Sequence, residues 1–441
     1  MKRLIRQRPT YYGWRIVASG LAIQTIMGML VFQSFGAYAA ILRDEFGWSR
    51  TLFSIAFATA RVENGLFGPL QGWMIDRFGP RRMMQIGILL LSLGFILFSR
   101  LDSQATFLGF FFIMAVGNSL AGFMTLTVTI VYWFEKRRTR ALGIMSAGLA
   151  IGGLLVPLVV LSLETIGWRD TALISGFVVL FTGLPLSMVI RHRPEDHGLH
   201  IDGIPPDEKP TPSPTALPST NPRPRDFTTR EAVRTAAFWW ISLGHGFSLL
   251  VVSAIMVHMV IHINEGLGYS LGTAAIMVLV MTAFMIIGQI GGGFVGDKYS
   301  KRYISAACMV GHMIALLFLA YATALWMVAF FAALHGLSWG IRGPLMAAIR
   351  ADYFGRSSFA TIMGFSSIVA MAGMTVGPFI ASEISGNSDS LKNGFAVLAV
   401  LSGVGAFFFI FARPPRRPGE ATVTLPAPHL RRTSVRAGSG D

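Results

Sequence analysis

Three ionisable side chains fall well inside long apolar stretches of this 441-residue sequence: Arg61, Glu63 and Arg342. A charge in such surroundings is costly unless it faces water, a partner or a ligand. Two cations against one carboxylate bias the interior towards anions. The planar guanidinium of Arg342 can hold a carboxylate through two parallel hydrogen bonds. His335 and Ser338 precede it at helical spacing, so the three share one face. Arg342 has three open uses: binding an anion, closing a structural ion pair, or reaching out to the membrane surface. His335 titrates near neutrality and can carry a proton, or it can be a hydrogen-bonded core histidine. Glu63 is the second proton-coupling candidate; its alternative role is to neutralise an arginine. Arg61 and Glu63 lie two positions apart and point to different faces, so they pair poorly.

Uncharged polar residues extend this set. Asn118, Thr125 and Thr129 fall at i, i+7 and i+11, a polar stripe along one helix. Gln24 and Gln289 are further candidates for contacting a bound solute. His258 and His262 have metal-compatible spacing but no third ligand nearby, so no metal site is expected. The single cysteine, Cys308, reads as a small buried hydrophobe. No cofactor is called for.

The elements that must position these residues are membrane helices. Hydrophobic residues make up 53% and charged residues 13% of the sequence, against about 25% charged in soluble domains. Apolar runs of roughly 20 residues are long enough to span hydrocarbon, and there the backbone must bond internally, as helix. Twelve spans are expected, at about 15–41, 51–75, 83–100, 105–133, 140–163 and 170–190, then 237–262, 272–296, 303–321, 325–349, 358–383 and 393–412. The fold class is therefore all-α and integral to the membrane. It divides into an N-terminal six-helix bundle (1–190), a linker loop (191–236), a C-terminal six-helix bundle (237–413) and a tail (414–441). The Pro-, Ser- and Thr-rich stretch within the linker and the Arg-rich tail are expected to be disordered.

Basic residues set the expected orientation. One face holds Arg77, Arg81, Arg82, Lys136, Arg137, Arg138, Arg140, Lys298, Lys301, Arg302, Arg350 and Arg356 in short loops. The other holds Arg43, Arg50, Arg100, Arg169 and Lys392. The positive-inside rule places the first face, with both termini, in the cytoplasm of a cell (inner or plasma) membrane. The net charge of +15 then reflects topology rather than nucleic-acid binding. The basic start runs into the first span without a small-residue cleavage pattern, so that span is expected to be retained.

The two halves repeat. Gly72-Trp-Met-Ile-Asp76-Arg77-Phe-Gly79-Pro-Arg81-Arg82 follows the second span, and Gly293-Phe-Val-Gly-Asp297-Lys298-Tyr-Ser-Lys301-Arg302 follows the eighth. Asp76 and Asp297 are 221 positions apart, and so are Gly143, Gly152 and Pro157 from Gly364, Gly373 and Pro378. Two separate motifs with one offset indicate a duplicated six-helix unit. The Gly72–Arg82 motif resembles the signature loop of the major facilitator superfamily, and the likeness covers about residues 12–413. Glu45-Phe-Gly-Trp48-Ser49-Arg50 and Arg342-Gly-Pro344 with Asp352-Tyr-Phe354-Gly are similar to its monocarboxylate and oxalate/formate branches. The sequence departs from them in having no arginine near Gln289 and no lysine in the eleventh span. The resemblance implies two bundles around a central cavity lined mainly by helices 1, 4, 7 and 10, and alternating access by rocking of the halves.

That resemblance gives the motif residues two readings. Gly72, Asp76, Arg77, Gly79, Arg81 and Arg82, with Asp297, Lys298 and Lys301, either latch the halves at the cytoplasmic rim or anchor topology. Small residues at Gly65, Gly68 and Gly72, and along spans five and eleven, permit close helix approach. The expected function is transport of small organic anions, carboxylates first among them, with proton coupling open. Export of amphipathic compounds and a non-transporting sensor are the alternatives. No P-loop or nucleophile elbow is present, so direct ATP drive and membrane enzymology are disfavoured.

Overall fold

The computed structural model describes residues 11–205, 225–385 and 391–419; the side chains of residues 50, 54, 57, 61, 64 and 385 lie outside that description. The Arg61 side chain, the central part of the linker (206–224) and residues 420–441 are therefore outside the described set.

Twelve membrane helices form two pseudo-symmetric bundles of six. They are α1 (Tyr12–Phe46), α2 (Arg50–Leu66 continued by Gly68–Phe78), α3 (Pro80–Phe98), α4 (Gln104–Trp133), α5 (138–166) and α6 (168–189), then α7 (Ala236–Gly266), α8 (Leu271–Lys298), α9 (Lys301–Ala320), α10 (Leu325–Phe354), α11 (Phe359–Ser385) and α12 (Lys392–Phe411). Each is long enough to cross roughly 30 Å of hydrocarbon at 1.5 Å per residue. Several are interrupted. A π-helical turn at Gly28–Phe32 lies within α1, and α2 breaks at Phe67 ahead of Gly68-Pro69. Gly167, at φ 83°, separates α5 from α6; that left-handed backbone suits glycine because it has no Cβ.

Packing repeats between the halves. α1 lies on α5 as α7 lies on α11, α3 lies on α6 as α9 lies on α12, and α3–α4 matches α9–α10. The halves meet along α2–α11 and α5–α8, which are equivalent pairs under the repeat. Both seams depend on glycine. A Cβ at Gly72 would stand 2.7 Å from Thr361 Cα, and one at Gly364 would stand 2.8 Å from Pro69 Cα. On the other seam a Cβ at Gly293 would stand 2.8 Å from Arg140 Cα. These are backbone atoms and cannot rotate aside, so the close approach requires the missing side chain.

The described ends of the linker are ordered against the loop face. Asp202 accepts from the backbone N–H of Glu135 (3.1 Å), Lys136 (2.7 Å) and Arg137 (3.4 Å) in the α4–α5 loop. Among the described residues it is the one non-glycine with positive φ, 56°. Asp226 does the matching work in the other half. It accepts from Arg356 N (2.9 Å), Ser357 N (3.1 Å) and Ser357 Oγ (2.8 Å) in the α10–α11 loop. Partial burial works to raise the Asp226 carboxyl, but the donors from Arg356 and Ser357 and the nearby Arg417 charge outweigh it and hold the group below its ordinary value. The clasp is therefore fully present above the unfolded aspartate value of about 3.9 and is lost as pH falls through the lower folded value. The melting-temperature advantage of the wild type over Asp226→Asn, followed by thermal unfolding in detergent, is expected to shrink as pH drops below about 4. An advantage that grows with acidity would show that the clasp does not depend on the ionised carboxylate.

Candidate functional site

Two sets of residues stand out: a pair of capping carboxylates at the loop face and a cationic core inside the C-terminal half. The capping arises because a helix N-terminus leaves backbone N–H groups without partners inside its own helix. At the start of α11, Asp76 Oδ2 accepts from Thr361 N (3.0 Å) and Thr361 Oγ1 (2.7 Å). Its Oδ1 accepts from Ala360 N (3.4 Å) and from Tyr132 Oη of its own half (3.0 Å). At the start of α5, Asp297 accepts from Thr139 N (2.8 Å) and Arg140 N (3.4 Å), with Arg140 Nε 3.8 Å away. Residues 139 and 140 map onto 360 and 361 under the 221-residue offset. Each half thus supplies an aspartate that caps a helix of the other, where the helix dipole favours negative charge.

The cations of the repeated motif do not share this role. Among the described residues none of Arg77, Arg81, Arg82 or Lys298 forms an ion pair, and Lys301 pairs with Asp352 of its own half at 2.7 Å. Gly79, at φ 87°, shapes the turn between α2 and α3. Other groups tie the halves. Arg138 donates to Asp352 at 2.5 Å, and Arg356 donates to Tyr132 O (2.9 Å) and Glu195 (3.0 Å). None of Arg138, Arg356 or Glu195 follows the repeated motif, so spacing did not single them out.

The cationic core lies between α7, α9, α10 and α11. Arg342 is 1% exposed, and its Nε and Nη1 have no hydrogen-bond acceptor. Arg350, eight residues on, is equally buried. It donates to Met346 O (2.6 Å) and Ser366 Oγ (2.5 Å), lies 3.3 Å from His245 Nδ1, and leaves Nε without a partner. Neither arginine has a carboxylate partner among the described residues. His245 lies within electrostatic reach of both and keeps part of its surface exposed. Holding unpaired guanidinium groups in a low-dielectric interior costs several kcal/mol each.

The face bearing His335, Ser338 and Arg342 is turned towards α9. His335 meets His312 ring to ring, Ser338 Oγ stands over Gly311, and Arg342 follows one turn further along the same face. The expected face-sharing is present, and it points into the C-terminal bundle because small residues on α9 make room there. The helix-4 stripe is only partly available for a solute. Thr125 Oγ1 donates to Leu120 O and Thr129 Oγ1 to Thr125 O, whereas Asn118 Oδ1 is buried without a partner. Gln24 Nε2 and Gln289 Oε1 are likewise unpartnered. Glu63 is 5% exposed, faces Ser119 of α4, and keeps Oε2 free of partners. His258 bonds Pro378 O and His262 bonds Leu319 O, so the pair with metal-like spacing serves helix packing. His245, His312 and Arg350 were not among the sequence candidates. Arg350 fell beyond the expected end of span ten, and nothing in the sequence shows that His312 faces His335.

Two six-helix bundles that meet on glycine seams and cap one another's helices define a secondary-transporter class of membrane protein. The sequence profile of the Major Facilitator Superfamily matches residues 21–256 and 241–436, and the chain belongs to that family. The oxalate:formate antiporter of Oxalobacter formigenes is 25% identical, covering 89% of this chain and 90% of that protein. A probable sulfoacetate transporter of Cupriavidus necator is 24% identical over 91% of this chain and 98% of its own length. Among solved structures, the human organic anion transporter MFSD10 superposes with a TM-score of 0.67 at 14% identity, covering 91% of this chain and all of that one, which is a likeness of fold.

Proposed function

We propose that this chain carries small organic anions, carboxylates foremost, across a cell membrane by alternating access. The observation that supports this most is Arg342, a fully buried cation whose Nε and Nη1 lack acceptors and which has no carboxylate partner among the described residues. The relatives named for oxalate:formate and sulfoacetate transport agree with an anionic cargo. The basic loop face, with both termini, is assigned to the cytoplasm. A chain shut at that face is the outward-facing or occluded member of the cycle, and Asp76 and Asp297 are its latch.

Uptake of labelled oxalate, formate and sulfoacetate into proteoliposomes tests the reading, with ethidium as the amphipathic comparison. Saturable uptake of at least one anion, inhibited by the others, is expected. Uptake of ethidium alone, or of none of these compounds, would overturn it.

The latch has its own test. Asp76→Asn keeps the side-chain shape but removes the charge facing the α11 N-terminus, a loss of about 1–2 kcal/mol from the closed state. The population ratio of closed to open should fall roughly tenfold. Labelling of a cysteine placed on the seam from the cytoplasmic side should rise accordingly. Unchanged labelling would leave Asp76 with a topological role only.

A further inference from the structure

We infer that His312 and His335 together form the site of a proton that crosses the membrane with the anion. The inference rests on the anion-transport reading above. His312 of α9 and His335 of α10 are both fully buried, and their Nδ1 atoms are 3.1 Å apart. A hydrogen bond between two Nδ1 atoms requires one to carry hydrogen and the other to be bare. In the neutral pair, the ring that donates at Nδ1 therefore has a bare Nε2. The Nε2 atoms of both rings are buried without partners. One proton can be added at that bare Nε2 without disturbing the Nδ1–Nδ1 bond, which then becomes charge-assisted. A second proton would have to occupy the shared Nδ1 contact and break it. The pair thus takes up one proton and no more.

The surroundings couple that proton to the anion. On α10, Arg342 lies seven residues beyond His335 on the same helical face, within electrostatic reach of both rings, and on α9 Cys308 lies four residues before His312. On α7, His245 sits beside Arg350 and His262 bonds Leu319 O of α9. The packed stretches 271–296 of α8, 359–382 of α11 and 393–411 of α12 contain no titratable residue. Among the described residues Arg342 is thus the charge that both rings experience, and no carboxylate competes with it. A guanidinium held at Arg342 repels a second cation on the pair, and an anion docked on Arg342 cancels that repulsion. Anion and proton therefore favour each other's binding, reciprocally and by the same factor. The pair takes its proton from the aqueous phase at one face and returns it at the other when the anion leaves. A monoanion then crosses with one proton and no net charge.

The test uses the full chain in proteoliposomes with labelled formate and oxalate as probes, comparing wild type, His312→Gln and His312→Asn. Uptake driven by an acid-outside pH gradient reports proton movement, whereas exchange against internal anion at equal pH needs no net proton transfer. In wild type the gradient should raise the initial rate at least fivefold. Both variants should lose that stimulation while exchange falls less than twofold, which also shows that they fold. Gradient stimulation retained in both variants overturns the inference. So does wild-type uptake that ignores the gradient while exchange proceeds, although the anion-transport reading then stands. Loss of exchange together with stimulation in both variants makes the pair structural and equally overturns it. No flux of either probe in wild type overturns this inference, and it overturns the anion reading as well when sulfoacetate is not taken up either.

Discussion

Gly72→Ala is expected to cut transport at least tenfold while leaving the protein inserted and folded. The added Cβ would stand 2.6 Å from the Ala360 carbonyl carbon and 2.7 Å from Thr361 Cα, both backbone atoms of the opposite half. Overpacking of this kind costs about 1–3 kcal/mol where the surroundings can adjust, and more where they are backbone. Only the conformer closed at this seam bears that cost, so the whole amount enters the balance between closed and open forms. A bias of about 3 kcal/mol moves the ratio more than a hundredfold. The measurement is initial uptake in proteoliposomes, with seam accessibility to a cytoplasmic thiol reagent as the second readout. Uptake should fall at least tenfold and accessibility should rise. Gly109→Ala and Gly291→Ala are the controls, because a Cβ at either position meets nothing within 4 Å. Wild-type uptake by Gly72→Ala would mean that the seam need not close tightly for turnover.

Arg342→Gln is the second large effect, and it separates binding from structure because its two consequences have opposite signs. Removing the guanidinium takes away charge-assisted hydrogen bonds to a carboxylate, together about 3 kcal/mol, or roughly a hundredfold in affinity. It also removes a buried cation that has no carboxylate partner among the described residues, so the ligand-free protein should become more stable. Thermal unfolding in detergent with and without oxalate reads both. The expected variant melts higher than wild type without oxalate and gains nothing when it is added. A variant that melts lower yet keeps its oxalate response would make Arg342 a structural residue and move the anion elsewhere.

Both expectations begin from residues legible in the sequence. The twelve-helix architecture follows from hydropathy, because backbone in hydrocarbon has few ways to bond. The duplication follows from one offset shared by two motifs. Gly72 and Asp76 stood out for the same reason. Arg342 stood out because charge is rare and expensive within a span. Boundaries were less legible. The first helix runs from Tyr12 to Phe46 through a π turn, longer than the expected 15–41, since hydropathy registers the apolar centre and not the polar turns that continue a helix beyond it.

Composition and spacing by themselves determined the class of protein, the repeat and the rare charges, since each of these is a property of one chain segment in a known solvent. Only the tertiary structure decided which atoms the aspartates meet. The donors to Asp76 and Asp297 are not the motif arginines and lysines beside them but backbone N–H groups more than 150 positions away on the opposite half. Backbone donors at a helix start carry no residue signature. It also decided that His335 turns to His312 and that Arg350 joins Arg342 in one buried core. A helical wheel fixes which residues share a face but not which neighbour that face meets, because the neighbour is chosen by packing between helices far apart in the chain.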